Sequence, residues 1–200
     1  MDPNDAAVAE VNSGLSARAM RDVAYAAVVK YSAIAASATV DFSFIPADGR
    51  FLDVMRVAGE GEWAPDDVSF LGQVSQVVGD YLDTFAEEPD GWGYYRHMAA
   101  TLVLIALPNL IGGPGSDTVA PLWEFTRRFA DHVDWELGRA QGQDAATPEP
   151  SFRSREGVVW LRNAELARVG GNTTVIAAES TAWGPHVRHP ARRDCSLIAG

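Results

Sequence analysis

The chain of 200 residues is 47% hydrophobic and 22% charged, enough for one packed domain with residues left over for a tail. Its single cysteine, Cys195, excludes an intrachain disulfide framework and a zinc site built from cysteines. The net charge is −11, and residues 1–140 hold nine basic and 21 acidic side chains. Such an acidic body excludes a general basic field for nucleic acid, so any such contact must come from a few local arginines.

The first predicted helix covers about residues 16–38. Apolar side chains recur there at steps of three and four, namely Met20, Val23, Ala27, Tyr31 and Ile34. After it, Val40, Phe42 and Phe44 alternate with polar residues, and a proline and a glycine mark a turn before the next apolar residues. This pattern predicts a small β-hairpin near residues 39–57 that caps the helices.

The second and third predicted helices follow, and the third contains the most apolar run of the chain. The second begins near Pro65, where two acids follow the proline, and ends before Pro89. The third covers about residues 94–107 and is apolar nearly all round, which indicates a central position among the other helices. The apolar run at 99–111 is too short to span a bilayer and contains Pro108, so no membrane partner is predicted.

The fourth predicted helix covers about residues 121–138. Its regular apolar stripe consists of Leu122, Phe125, Phe129, Val133 and Leu137. Beyond it, the composition of residues 141–200 is typical of a linker, an anchoring segment and a tail. The predicted fold is therefore mainly α: an antiparallel four-helix bundle in residues 1–140 with a small β-hairpin, followed by an extended C-terminal tail.

No catalytic or metal-binding motif stands out. His97 and His132 lie on different predicted helices, without the Glu-x-x-His pairs of di-iron bundles. His186 and His189 have ligand-like spacing but no supporting carboxylate or thiolate. A nucleophile elbow and a phosphate-binding glycine loop are missing from the sequence. The prediction is a protein that is not an enzyme, with no catalytic residues, no metal and no cofactor.

Acidic side chains are concentrated between residues 40 and 90, where twelve of them face only two arginines. One interpretation is a solvated surface. The other is a contact between subunits in which acids meet acids, because close like charges raise carboxyl pKa values and favour such a contact at lower pH.

The stretch TRRFADHVDWEL places Arg127 and Arg128 inside the fourth predicted helix, with Asp131 three residues after the second arginine. An exposed face with one ion pair is the simpler interpretation. In the other, the arginines bind phosphates while the carboxylate accepts a hydrogen bond from a ribose hydroxyl.

Three stretches in the same order resemble the coat proteins of rod-shaped plant RNA viruses of the tobamovirus type. TVDFSFIPADGRF is similar to the strand, proline turn and strand before their right radial helix, and TRRFAD resembles the Thr-Arg-Arg start of their last bundle helix. In SFRSREGVVW, Phe152, Gly157 and Trp160 match their carboxy-terminal pattern, although Arg153 stands where an acid often follows the phenylalanine.

The resemblance implies a structural coat protein that self-assembles into a helical rod and packages single-stranded RNA. Arg127, Arg128 and Asp131 would contact the RNA, and Phe152, Gly157 and Trp160 would form the contact with a neighbouring subunit. The partners would be RNA and further copies of the chain, and the location would be the virion, with assembly in the host cytoplasm. The alternative is a small intracellular acidic helical binding protein, an immunity or regulatory partner, from a bacterium with a GC-rich genome.

Overall fold

The computed structural model describes residues 3–37, 65–84, 91–111, 119–140 and 151–171. Within these ranges the chain forms six helices: α1 Pro3–Ser13, α2 Ala17–Ser37, α3 Pro65–Leu82, α4 Gly91–Ile111, α5 Val119–Ala140 and α6 Phe152–Arg168. The mainly helical fold class is confirmed, and α2 to α5 lie where the four helices are predicted. The predicted hairpin near 39–57, most of the linker that begins at 141 and the end of the tail lie outside these ranges.

Helices α2 and α4 organise the core. Helix α2 packs against α4, α5 and α6, while α4 packs against α2, α3 and α5. Because α4 has neighbours on three sides, its side chains are apolar around most of its circumference, as predicted. Along α2 the residues from Val23 to Val28 are all buried, which places this helix at the centre of the core.

Helix α4 continues past the predicted end at residue 107 and runs through Pro108 to Ile111. Proline lacks the N–H that would bond to the carbonyl oxygen four residues earlier, so it usually ends a helix. Pro108 is exposed and lies in the last turn, where water can satisfy that carbonyl oxygen. None of the helices in the described ranges is long and apolar enough to cross a bilayer.

Helix α1 was not predicted, because its amphipathic pattern is weak. It buries Val8 completely and packs against α5 and α6. A short turn leads from α1 to α2, and the hydroxyl of Ser16 accepts a hydrogen bond from the N–H of Ala19 at 3.2 Å. This bond caps the N-terminus of α2 by satisfying one of its free backbone donors.

Helix α6 lies where an extended anchoring segment is predicted. Ser151 caps its N-terminus, with the hydroxyl accepting from the N–H of Ser154 at 3.0 Å. At its other end Gly170 has φ +74, and the N–H of Gly171 donates to the carbonyl of Leu166 at 2.7 Å. These are the features of a Schellman motif, in which glycine adopts the left-handed conformation.

Helix α6 lies beyond residue 140, in the part of the chain predicted to be a linker, an anchoring segment and a tail. Helix α6 packs against α1, α2 and α5, and its Trp160, Ala164 and Ala167 belong to the same core as the earlier helices. The helical body thus includes residues 152–168, and α6 closes it instead of extending away from it.

Candidate functional site

The predicted RNA-binding residues lie on α5 around one carboxylate, that of Glu124. The Nη2 group of Arg127 donates to both oxygens of Glu124, at 2.8 and 2.9 Å, and its Nε–H donates to Oε2 at 3.1 Å. The Nε–H of Arg128 donates to Oε1 at 3.0 Å. Because residues three and four apart share one helix face, the two arginines converge on the same acid.

Asp131, the third predicted RNA contact, is bound to Arg153 of α6. The Nη1 group of Arg153 donates to both Asp131 oxygens, at 3.1 and 3.3 Å, and Arg127 approaches the same carboxylate at 3.6 Å. The Nη2 group of Arg153 reaches Asp5 of α1 at 3.3 Å, and its backbone N–H donates to Asp134 at 3.0 Å. Arg153 therefore joins α1, α5 and α6.

This group of seven side chains, named here the α5 charge cluster, holds more acids than bases. Its members are Asp5, Glu124, Asp131 and Asp134 with Arg127, Arg128 and Arg153. Four carboxylates against three guanidinium groups give no surplus of positive charge for a phosphate. Arg128 differs from the other two arginines, because its side chain is 71% exposed while those of Arg127 and Arg153 are 21% and 29% exposed.

The pKa shifts in the α5 charge cluster favour its charged form. Hydrogen bonds from Arg127, and then those from Arg128, hold the pKa of Glu124 below its ordinary value. The hydrogen bond to Glu124 in turn raises the pKa of Arg127. A carboxylate with a lowered folded-state pKa contributes stability above its unfolded-state pKa, and this contribution is lost as pH falls through the lowered value. The Glu124–Arg127 ion pair therefore contributes stability at neutral pH.

An open groove of about 540 Å³ lies beside the α5 charge cluster. Its lining residues come from α1 and the first turns of α5: Asp5, Ala120, Pro121, Trp123, Glu124 and Arg127. The Oδ1 atom of Asp5 is buried and has no hydrogen-bond partner in the structure. Both signs of charge line this groove, so it can hold a polar group but does not select an anion.

Trp160, a predicted contact with a neighbouring subunit, lies in the core of its own chain. It is 2% exposed, and its ring lies 5.3 Å from that of Trp123, between ring centroids, at an angle of 57°. Its Nε1–H donates to Asn12 Oδ1 at 3.0 Å. Trp160 thus joins α6 to α1 and α5, and another subunit cannot reach it in this arrangement.

Gly157 also serves a contact within the chain. A Cβ atom at this position would lie 2.9 Å from Nδ2 and 3.0 Å from Cβ of Asn4, so the absence of a side chain lets α1 approach α6 closely. Phe152, the third predicted interface residue, is the first residue of α6. The two predicted clusters therefore meet in one place, because α6 carries the interface residues and contacts α5, which carries the RNA residues.

A buried ion pair between Lys30 of α2 and Glu156 of α6 was not predicted. The two side chains are 2% and 0% exposed, and the Nζ group donates to Oε1 of the carboxylate. Burial lowers the pKa of Lys30, and the Glu156 charge opposes that shift. Lys30 is the only lysine in the chain. This is the one feature of the sequence that could have drawn attention to its position.

The histidines that were considered as metal ligands lie partly inside and partly outside the described ranges. His132 lies in an aromatic group, with its ring 4.1 Å from that of Tyr94 and 6.2 Å from that of Trp135. His186 and His189 lie outside the described ranges. Among the residues that the structure describes, no group of three or more His, Cys, Asp or Glu side chains could hold a metal ion.

Comparison with family models, curated proteins and solved structures finds no match for this chain.

Replacing Arg153 with alanine is expected to lower the free energy of unfolding by about 1–2 kcal/mol, because it removes charge-assisted bonds to α1 and α5 that are only partly exposed. Hydrogen exchange should also speed up selectively in α1, which loses the contact through Asp5. The matched control is Arg18→Ala, at an exposed position of α2. Equal stability and equal α1 exchange in both variants would contradict the role of Arg153.

Proposed function

We propose that this chain is a structural coat protein that assembles into a helical rod and packages single-stranded RNA, with α2 to α5 forming an antiparallel bundle. The observation that carries the proposal is the contact between two of the three stretches that resemble tobamovirus-type coats. Arg153 of the third stretch binds Asp131 of the second, so these two stretches belong to one structural unit. Virions and, during assembly, the host cytoplasm are the proposed locations.

The proposed RNA contact is centred on Arg128. Its guanidinium is largely exposed, and a planar group with several donors suits the oxygens of a phosphate. Arg127 pairs with Glu124 and Asp131 within α5, and Asp131 fixes this part of the helix to Arg153 of α6. One exposed arginine binds RNA weakly, but many copies along a rod bind the same strand, so affinity accumulates without a basic surface on the single subunit.

We place the proposed subunit contact away from Trp160, because its ring is buried within the chain. Apolar side chains that reach the surface are the better candidates, and Trp135 of α5 is 60% exposed. It lies two turns after Arg128, on the same face of the helix. A large exposed aromatic side chain is a typical anchor of a protein interface.

Replacing Arg128 with alanine is expected to reduce the RNA content of purified particles severalfold while rods still form. The reason is that the exposed guanidinium is lost but no buried contact is removed. The ratio of absorbance at 260 and 280 nm, with electron microscopy of the same particles, measures both properties. Arg18→Ala is again the control, and equal RNA content in the two variants would contradict the assignment of Arg128.

A second candidate function is that of an acidic binding partner for a basic protein surface. The surplus of carboxylates in the α5 charge cluster favours it, as does the net charge of −11. Light scattering and electron microscopy between pH 5 and pH 8 separate the two functions. A coat protein should form discs or rods, whereas a partner of this kind should stay small at every pH and bind a basic protein at low salt.

A further inference from the structure

The outward face of α6 carries an exposed stripe that ends at the C-cap residue, Val169. Val158 and Val169 are 61% and 74% exposed, and both Arg162 and Glu165 between them are exposed. At 3.6 residues per turn these four side chains lie within roughly 60° of one another around the helix axis. The core face of α6, with Trp160 and Ala167, points the opposite way. A helix of a closed body thus presents two large apolar groups to solvent.

The positions of the side chains along this stripe are symmetric, with an apolar residue at each end and two opposite charges between them. Valine, arginine, glutamate and valine stand at 158, 162, 165 and 169, so their positions are symmetric about the midpoint between Asn163 and Ala164. Leu161 and Leu166, both partly buried, flank the stripe and are symmetric about the same midpoint. The symmetry is complementary in charge, because the position that mirrors the arginine holds an acid.

We propose that this stripe, Val158 to Val169, binds the same stripe of a second copy of the chain in an antiparallel, two-fold symmetric contact. With the two-fold axis beside the midpoint of the stripe, between Asn163 and Ala164, Val158 of one copy faces Val169 of the other. Arg162 then faces Glu165 twice. A parallel pairing would instead place each arginine against an arginine and each glutamate against a glutamate, which is unfavourable. The complementarity of the stripe with itself identifies a second copy as its occupant.

The contact is small, since the stripe is only about 17 Å long at 1.5 Å per residue, and a weak reversible pair is expected. A contact of this symmetry closes a pair and does not by itself extend a rod, so the inference does not depend on the proposed function. It would hold equally for a coat subunit and for a binding partner.

Charge reversal tests the pairing with its own internal control. Arg162→Glu and Glu165→Arg should each raise the dissociation constant of the pair about tenfold or more, because each creates two like-charge contacts. Mixing the two variants in equal amounts should restore pairing, since every mixed pair then joins opposite charges. Sedimentation equilibrium over a concentration series measures both effects. A charge effect confined to one helix would not be relieved by mixing, and an unrestored mixture would overturn the proposal.

The apolar part of the stripe has a matched control on another helix. Val158→Asp and Val169→Asp should weaken pairing, whereas Val68→Asp, at a valine of α3 that is 40% exposed, should not. If larger assemblies hide the pair, Val158→Cys and Val169→Cys in a Cys195→Ser background should form a disulfide between copies only when the two variants are mixed. The absence of this cross-link, or an equal effect of Val68→Asp on pairing, would contradict the proposed pairing. If rods still formed, the proposed function would be unaffected by that result.

Discussion

Replacing Lys30 with methionine is expected to lower the free energy of unfolding by about 3–5 kcal/mol, because the Glu156 carboxylate would remain in the core without its cation. The second oxygen of Glu156 already lacks a hydrogen-bond partner in the structure, so it has no other contact to take over. Urea denaturation followed by circular dichroism measures the change. Asp80→Asn, at an exposed position of α3, is the control and should change stability by less than about 0.5 kcal/mol.

The double variant Lys30→Met with Glu156→Leu should recover most of the lost stability or exceed that of the wild type. Two charges taken out of water lose hydration that their mutual attraction repays only in part, whereas two apolar side chains of similar volume have no such penalty. A double-mutant cycle gives the coupling between the positions. Additive single effects would show that the two charges are not coupled in the folded protein.

The pH dependence of the same pair has a definite sign. Burial lowers the pKa of Lys30 from its ordinary value of 10.5, so the folded state binds a proton less readily than the unfolded state. Between the lowered value and 10.5, stability therefore rises with pH. Glu156→Gln removes the charge that opposes the shift, which should widen this window. The free energy of unfolding, measured over a pH series up to 10.5, should then begin to rise at a lower pH in the variant than in the wild type. A rise that begins at the same pH in both would contradict the assignment.

Replacing Trp160 with alanine is the second substitution with a large expected effect, a loss of about 3–5 kcal/mol in the free energy of unfolding. The ring is buried against Trp123, and its N–H satisfies Asn12. Trp160→Phe should restore most of the packing but leave the Asn12 oxygen without that donor, for a loss of about 1–3 kcal/mol. Thermal unfolding of the isolated subunit is the measurement.

The matched control is Trp135→Ala, because this tryptophan of α5 is 60% exposed. It should change the stability of the subunit by less than about 1 kcal/mol, while assembly suffers if the proposed function is correct. An opposite result, with a stable Trp160→Ala subunit that fails to assemble, would return Trp160 to the subunit contact predicted from the resemblance.

Contacts within the chain explain the residues of the carboxy-terminal stretch SFRSREGVVW. Glu156 connects α6 to α2 through the ion pair, and Gly157 connects it to α1 through the close approach of Asn4. Trp160 connects it to α5 through the ring of Trp123 and to α1 through Asn12. A segment with these contacts closes the helical body. In the proposed coat, its loss would therefore be expected to unfold the subunit before it affected any contact between subunits.

Local pattern in the sequence was sufficient to predict helices α2 to α5. Each has many buried apolar residues at helical spacing, as in the stripe from Leu122 to Val133 of α5, so hydrophobic periodicity alone places it. The apolar circumference of α4 likewise predicts neighbours on most sides. The start of α3 at Pro65 follows from the preference of proline for the first turn of a helix.

Helix α6 could not be found in the same way, because its buried face includes Glu156 and Asn163 next to Trp160 and Ala164. The buried polar residues and the exposed valines both weaken the apolar stripe. The capping residues Ser151 and Gly170 were the only local signals, and both also occur commonly in loops. The helix forms because α1, α2 and α5 supply partners for its core face.

The candidate site shows the same division between local and distant information. The residue types Arg127, Arg128 and Asp131 and their shared helix face could be read from spacing alone, but their charge balance could not. Asp5 and Arg153 are 148 positions apart, and Lys30 and Glu156 are 126 apart. Whether an arginine meets a phosphate or a carboxylate depends on which distant residues the packing of helices brings within hydrogen-bond reach, and residue spacing carries no information about that.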